Sequence, residues 1–131
     1  MLEPEVAELL GRSDVLVYLA TTNEDGSPHV APVWSDADPA RGLILLNTAE
    51  GRRKVRNARR DPRVMLGAHS PDRLWPPLSI RGTVTGFVHE GGDAHIDALA
   101  RRYTGQPWEP VAGQQRVILE IRPDHVAFPR D

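Results

Sequence analysis

The stretch LILLNTAEGRRKVRNARRDPRV, residues 43–64, places an apolar run, a basic segment and the beginning of a second apolar run in succession. The dipeptide Asp61-Pro62 closes the basic segment, because a proline disfavours helical backbone in the residue before it. The pattern therefore predicts a strand at 43–48, a short helix of two to three turns, and another strand at 63–70.

The segments on either side extend this arrangement. Strand patterns cover 15–22, 29–35, 78–90 and 114–128, and helical patterns cover 4–11 and 93–105. The strands at 15–22, 29–35 and 43–48 are predicted to form an antiparallel meander, with turns at Asp25-Gly26 and 36–42, and 71–77 is predicted to be a loop because of its prolines. Gly82 and Gly86 predict bulges, and Gly91-Gly92 is typical of a turn. Short connections between strands favour one mainly β (α+β) domain over residues 1–131, a six-stranded antiparallel barrel with short flanking helices.

The composition and the absence of known motifs exclude several classes of chemistry. The chain has 131 residues, no cysteine and a formal net charge of -2. Without cysteine there are no disulfides, thiolate nucleophiles or iron–sulfur ligands, and the five histidines lack metal-site spacing, so no metal is predicted. Glycine-rich nucleotide-binding motifs and a serine-nucleophile motif are also absent. The N-terminus does not read as a signal peptide and no apolar run could cross a bilayer, so we expect a cytoplasmic protein with no membrane partner.

The basic run raises the question of what it binds. Three interpretations compete: a solvated arginine face, a nucleic-acid surface, or a site for one phosphate-bearing ligand. Arg52, Arg53 and Lys54, the only lysine of the chain, fall in the first turn of the predicted helix, where the helix dipole disfavours cations unless an anion binds there too. Nucleic acid is disfavoured because the rest of the chain is acidic and no aromatic residues interleave with the bases.

Other residues keep more ordinary interpretations. The later bases of the run, Arg56, Arg59, Arg60 and Arg63, are typical of a wet surface. Trp34 is predicted to pack in the core or in an interface. For Trp75 and Trp108, which lie in proline-containing loops, a pocket wall and ordinary packing both remain open.

Four segments together resemble a known family: LATTNEDGSPHVAPVW (19–34), LILLNT (43–48), GRRKVRNARRDPRV (51–64) and IRGTVT (80–85). They resemble the pyridoxamine-phosphate-oxidase-like split β-barrel flavoproteins, and are most similar to the small branch that uses the deazaflavin coenzyme F-420. The resemblance extends from about residue 5 to residue 128. It implies a homodimeric split barrel with cofactor sites across the interface.

The resemblance also implies which residues hold the cofactor. Arg52, Arg53 and Lys54 would hold its phosphate, and Asn47 and Thr48 would contact the linker or the phosphate. The backbone of Pro32 and Val33 would meet the flavin-like ring, with Trp34 close by. A proline inside this strand then has a rationale, because backbone groups turned toward a ligand do not complete a ladder.

The implied activity is hydride transfer between F-420 and a small organic substrate, with no side chain assigned as catalytic. FMN is the alternative cofactor, and a flavin or deazaflavin carrier without turnover is the alternative class. A relative that binds vitamin B6 phosphate or haem is a third hypothesis, and haem is the least favoured because no histidine is placed as an axial ligand.

Overall fold

The structure is a computed structural model that describes residues 2–127, except for the side chains at 73–76. Within that range there are three helices and seven strands. The helices are α1 (Pro4–Leu10), α2 (Arg53–Arg60) and α3 (Gly92–Thr104). The strands are β1 (Val17–Thr22), β2 (Pro28–Val33), β3 (Ser35–Asp38), β4 (Leu43–Ala49), β5 (Arg63–Ser70), β6 (Arg73–Val88) and β7 (Arg116–Ala127).

The strands form one antiparallel sheet in the order β2-β1-β5-β6-β7-β4-β3. Strands β2 and β3 occupy the two ends of this order, yet only Trp34 separates them in the chain. Because one residue cannot span a flat sheet of seven strands, the sheet has to curl until its two edges meet. The result is a curled antiparallel sheet, and it confirms the predicted mainly β class.

Side chains along β1 alternate between the inner and the outer face of the curled sheet. Val17 and Leu19 are buried in the core, whereas Tyr18 between them is exposed. The helix α1 covers part of the core with Val6 and Leu10, both fully buried. Burial of this contiguous apolar cluster is the main force that holds the curled sheet together.

The two longer helices follow the sequence prediction closely. In α2, Val55 and Ala58 are buried and the arginines around them are exposed. In α3, Ile96 and Leu99 are buried, and Gly105 ends the helix in the left-handed conformation at φ 75°, with its N–H donating to the Arg101 carbonyl. No helix among residues 2–127 is long and apolar enough to cross a membrane.

The predicted count of six strands is wrong, because β3 takes the last residue of the predicted strand 29–35 and extends to residue 38, inside the segment 36–42 that was predicted to be only a turn. Its polar residues look like turn residues in the sequence, but the first two, Ser35 and Asp36, have distant partners. Ser35 Oγ donates to the Leu10 carbonyl at 2.7 Å, and Asp36 is bound by side chains of α3. These contacts allow Ser35–Asp38 to pair with β4, so that the true turn is only four residues long, 39–42.

The predicted meander is also wrong. Strand β2 pairs with β1 but with no other described strand, and β4 pairs with β3 and β7. The position beside β4 is taken by β7, a strand that follows about seventy residues later in the chain, and local sequence carries no information about such a partner. The edge position of β2 accommodates Pro32, which has no N–H to donate.

Two further boundaries differ from the prediction. Strand β6 begins at Arg73, inside the predicted loop 71–77, but the pairing with β5 jumps from Ser70↔Arg73 to Ala68↔Leu78. Pro77 lies between these two pairs, where the register of the strand is irregular. The side chain of Trp75 lies outside the described part of the structure. Phe128, the predicted end of the last strand, lies outside it entirely.

The predicted bulge at Gly82 generates a stability test. The register between β6 and β7 shifts at this residue, and a Cβ atom there would lie 2.7 Å from Ile121 Cγ2 and 2.9 Å from the Arg122 carbonyl oxygen. We expect Gly82→Ala to lower the free energy of unfolding by about 1–3 kcal/mol, because the packed neighbours have to move. Urea denaturation measures the change.

Gly11→Ala is the matched control, because its nearest atom outside the adjoining residues would be the Ala7 carbonyl oxygen at 3.5 Å, an ordinary contact. The control should change the unfolding free energy by less than about 0.5 kcal/mol. Equal stability of the two variants would contradict the close approach of β6 and β7.

Candidate functional site

A pocket of about 340 Å³ lies where β2 ends, β4 ends and α2 begins. Its lining residues are Leu16, Pro32, Val33, Trp34, Asn47, Thr48, Arg52, Lys54, Ile96, Trp108 and Arg116. Seven of the eight residues predicted from the sequence are in this lining, and Arg53 is the exception. The volume falls at the small end of the range of about 300–1,000 Å³ that is usual for ligand pockets.

One side of the pocket is aromatic. Trp34 stacks on Tyr103 with ring centroids 5.2 Å apart, and Trp108 meets Trp34 edge to face at 6.3 Å. The Tyr103 hydroxyl donates to the Val15 carbonyl at 3.1 Å and accepts from the Ser35 N–H at 3.3 Å, which fixes the stack against the barrel. Trp108 therefore serves both alternatives left open by the sequence, since it packs on Trp34 and also walls the pocket.

The other side of the pocket is cationic. Arg52 is the N-cap of α2 and makes no side-chain cap, and the first turn of the helix contains no acidic residue. Among residues 2–127, no carboxylate lies within 4 Å of the side-chain nitrogens of Arg52 or Lys54, and neither side chain has a hydrogen-bond acceptor. Burial lowers the pKa of Lys54, and the positive charges of Arg52 and Arg116 lower it further.

Arg116 is the pocket residue that the sequence prediction missed. It begins β7, opposite Ala49 at the end of β4, and only 8% of its surface is exposed. Burial lowers its pKa, the charge of Arg52 adds to that effect, and Asp93 opposes it. Only the pairing of β7 with β4 brings Arg116 to Lys54, so no local pattern could have found it.

Arg53 lies on a different part of the surface. It lines a second cavity, of about 320 Å³, which it shares with the turn after β1. In that turn the pKa of Asp25 is lowered mainly by its hydrogen bonds with Ser27, and the charge of Arg53 contributes. The structure therefore separates Arg53 from Arg52 and Lys54, with which the sequence prediction had grouped it.

The later arginines of the run have partners within the protein. Their contacts are Arg56 with the Gly51 carbonyl, Arg59 with Glu50 at 2.5 Å, Arg60 with the Thr22 carbonyl at 2.5 Å, and Arg63 with Asp61 at 2.8 Å. The run thus divides into later arginines that have partners in the protein, Arg53 at the second cavity, and Arg52 and Lys54 at the pocket, which have no acceptor among the described residues.

Asn47 and Thr48, predicted as ligand contacts, are both buried. The Asn47 side chain is already occupied: Oδ1 accepts from Arg116 Nε at 3.0 Å, and Nδ2 donates to the Gly92 carbonyl at 2.9 Å. Nδ2 also lies 3.1 Å from His95 Nδ1. The Asn47 amide therefore lines the pocket, but its oxygen and its nitrogen are already hydrogen-bonded to other groups of the protein.

His95 continues this contact to Asp36. His95 Nε2 lies 3.2 Å from Asp36 Oδ2, and Arg102 Nη2 donates to Asp36 Oδ1 at 3.0 Å. Burial alone would raise the pKa of Asp36, but the hydrogen bonds from His95 and Arg102 outweigh it and lower the pKa from 3.8 to about 2. Among the residues that the structure describes, no three side chains form a cluster suited to a metal ion.

Comparison with known proteins identifies a family and several related structures. The family model described as pyridoxamine 5'-phosphate oxidase matches residues 2–129. The solved structure of an F-420 reductase superposes with a TM-score of 0.83 at 30% sequence identity, over 96% of this chain and 98% of that one. A conserved hypothetical protein from Mycobacterium tuberculosis superposes with a TM-score of 0.71 at 28% identity, over 96% of this chain and 82% of that one.

A FAD-binding protein from Mesorhizobium loti is more distant. It superposes with a TM-score of 0.66 at 22% identity, over 96% of this chain and 92% of that one. At this level of identity the similarity shows a shared fold.

The Asp36 contacts predict a pH dependence of stability. Because the native pKa of about 2 lies below the ordinary 3.8, the unfolded state takes up the proton first as the pH falls. The stabilisation is complete above about pH 4 and is lost toward pH 2, and it amounts to no more than about 2 kcal/mol. We expect the unfolding free energy of Asp36→Asn to fall less steeply over this interval, as measured by urea denaturation.

Glu90→Gln is the control, because Glu90 is exposed and forms none of the described ion pairs. The unfolding free energy of Glu90→Gln should have the same pH dependence as that of the parent protein. An Asp36→Asn profile parallel to that of the parent would contradict the assignment of this ion pair.

Proposed function

The chain belongs to the pyridoxamine 5'-phosphate oxidase family, as its sequence resemblance predicted, and we propose that it is an oxidoreductase that binds the deazaflavin coenzyme F-420 in this pocket. The reaction proposed is hydride transfer to or from a small unsaturated or conjugated organic molecule. The proposal includes a cytoplasmic location, which rests on the sequence.

One observation carries the proposal: three cations line a single pocket, and no described carboxylate lies within 4 Å of their nitrogens. The charges of Arg52 and Arg116 lower the pKa of the half-buried Lys54, and an anion bound between these side chains would offset that repulsion. A phosphate suits this set, because arginine offers a planar fork and lysine a point charge. The start of α2, which has no side-chain cap, lies at the same pocket and would favour an anion there.

The rest of the pocket fits the remainder of such a cofactor. Trp34, Trp108 and Val33 supply apolar and aromatic surface for a planar ring system, and Pro32 lies on a strand whose outer edge has no described partner. In this arrangement Arg52 and Lys54 bind the phosphate, and the aromatic side chains orient the ring and exclude water. When bound, the cofactor supplies the hydride chemistry, so the protein needs no side-chain nucleophile.

F-420 is favoured over FMN by the similarity to an F-420 reductase along almost the whole of both chains. FMN is the alternative, because the same phosphate site serves both cofactors. The alternative of another class is a carrier that binds a flavin or deazaflavin without turnover. The two classes differ in one measurement: an enzyme speeds the oxidation of reduced cofactor by an acceptor above the rate in free solution.

Titration with F-420 and with FMN, followed by fluorescence, tests the proposal. We expect Lys54→Met to weaken binding about tenfold or more, because it removes a charge-assisted contact to phosphate. Arg53→Met, a neighbouring change that also removes one positive charge, should weaken binding much less, because Arg53 lines the other cavity.

Lys54→Met should also make the unliganded protein more stable, since it removes a buried charge that Arg52 and Arg116 repel. Failure of both cofactors to bind the parent would contradict the proposal. Binding of FMN with no binding of F-420 would favour the alternative cofactor.

The proposal includes a homodimer, and the outer face of β1, β2 and β5 supports it. Val30, which is 57% exposed, and Met65 both pair with Ala20, and Tyr18, which is 50% exposed, lies two residues along the same face. Leu16 continues this apolar surface and also lines the pocket. A second copy packed here would therefore complete the open side of the pocket.

We expect Val30→Glu to raise the dimer dissociation constant by more than about tenfold, since the interface would then bury an unpaired charge. Sedimentation equilibrium measures the change. Val126→Glu is the control, because Val126 is 37% exposed but lies on β7 opposite Ile80, away from this face. A parent protein that is monomeric at all concentrations would contradict the dimer.

A further inference from the structure

Arg116 is held in the pocket by contacts that leave part of its guanidinium free. Nε donates to Asn47 Oδ1 at 3.0 Å, Nη1 donates to Gln114 Oε1 at 2.9 Å, and the guanidinium carbon lies 5.0 Å from the centre of the Trp108 ring. An arginine has five N–H donors, and Nη2 has no acceptor among the described residues. The side chain is thus oriented, nearly buried and still able to donate to a ligand.

The amide of Asn47 can adopt only one orientation that satisfies its neighbours. The Gly92 carbonyl is an acceptor, so the atom 2.9 Å from it must be the amino group, and the amide oxygen must then face Arg116. Gly92 permits this contact, because a Cβ there would lie 3.1 Å from the Arg116 carbonyl oxygen and 3.2 Å from its Cβ. A larger residue would push α3 away from β7.

The same logic fixes the proton of His95. Because the Asn47 amino group points at Nδ1, that nitrogen has to accept, and the ring proton is on Nε2, from which it is donated to Asp36. Asp36 also accepts from Arg102, whose Nη1 donates to the Ser35 carbonyl at 3.1 Å. The donated protons therefore run from Arg116 through Asn47 and His95 to Asp36, which also accepts from Arg102 on α3.

From this chain of bonds we propose that Arg116 is a third phosphate-binding residue of the pocket, and that Asn47, His95 and Asp36 are positioning residues that aim it. The inference rests on the proposed function, since it names a further group for the same ligand. It also changes the role predicted for Asn47, which orients a cation and does not itself contact the phosphate. Thr48 keeps the predicted role of a ligand contact.

The test compares a phosphate-bearing cofactor with its phosphate-free analogue. FMN and riboflavin are one such pair, and F-420 and its phosphate-free deazaflavin precursor are the other. The measured quantity is the ratio of the dissociation constants, phosphate-free over phosphate-bearing, which we call the phosphate ratio. A variant that merely loosens the pocket weakens both members of a pair, whereas loss of a phosphate contact lowers the ratio.

We expect Arg116→Met to lower the phosphate ratio about tenfold to a hundredfold, as expected for loss of a charge-assisted hydrogen bond. The affinity for riboflavin or the deazaflavin precursor should change less than about threefold, and this affinity also reports that the variant is folded. Asn47→Asp should lower the ratio as well, because a carboxylate 3.0 Å from Arg116 would neutralise it.

A matched pair at His95 tests the positioning role. His95→Asn retains an acceptor near the position of Nδ1 and should keep most of the phosphate ratio. His95→Leu removes the acceptor, frees the Asn47 amide to rotate, and should lower the ratio. General destabilisation would not leave the phosphate ratio high in His95→Asn and low in His95→Leu.

The outcomes separate the inference from the proposed function. A phosphate ratio that collapses in Lys54→Met but is unchanged in Arg116→Met would overturn the role of Arg116 and leave the proposed function standing. A ratio lowered by Arg116→Met but unaffected by Asn47→Asp and His95→Leu would overturn the positioning chain. A ratio near one in the parent protein would contradict the phosphate site itself.

Discussion

The meeting of the two sheet edges at Trp34 is the constraint on which the rest of the structure depends. Strands β2 and β3 follow each other with one residue between them and yet form the two edges of the sheet. Trp34 therefore lies where the edges meet, and its stack on Tyr103 ties that point to α3. The pocket forms at this place because the chain leaves one edge and enters the other there, with the ends of β2 and β4 brought side by side.

The basic run illustrates how a helix distributes charges that are adjacent in sequence. Each residue of an α-helix is rotated by about 100° from the one before it. Arg53 and Lys54 consequently point to different surfaces: Arg53 faces the turn of Asp25, and Lys54 faces the pocket. The sequence prediction treated Arg52, Arg53 and Lys54 as one group because it considered only their common distance from the helix start.

Local patterns were sufficient for most of the elements, and the family resemblance named most of the pocket. The apolar, β-branched run at 15–22 predicted β1, the helical spacing predicted the helix that buries Ile96 and Leu99, and Gly82 predicted a bulge. Seven pocket residues could be named in advance because they lie in short segments joined by the family resemblance. These are properties of neighbouring residues, and the sequence carries them directly.

Sheet order and distant partners are properties of another kind. Asp36 looks like a turn residue until His95 and Arg102 bind it, and Arg116 looks like the first residue of an ordinary strand until β7 pairs with β4. In both cases the information lies in a pairing between segments far apart in the chain, which no pattern of neighbours contains. The residues missed by the sequence are therefore those whose role is created by the closed fold.

Ser35 shows that closure and pocket chemistry share the same bonds. Its N–H donates to Tyr103, its hydroxyl donates to the Leu10 carbonyl, and its carbonyl accepts from Arg102. Arg102 in turn holds Asp36, at the head of the chain that reaches Arg116. The orientation of Arg116 is thus set by hydrogen bonds that extend from the place where the two edges of the sheet meet. Repulsion between Arg116 and the neighbouring cations is tolerated because Asn47 and Gln114 hold its guanidinium in place.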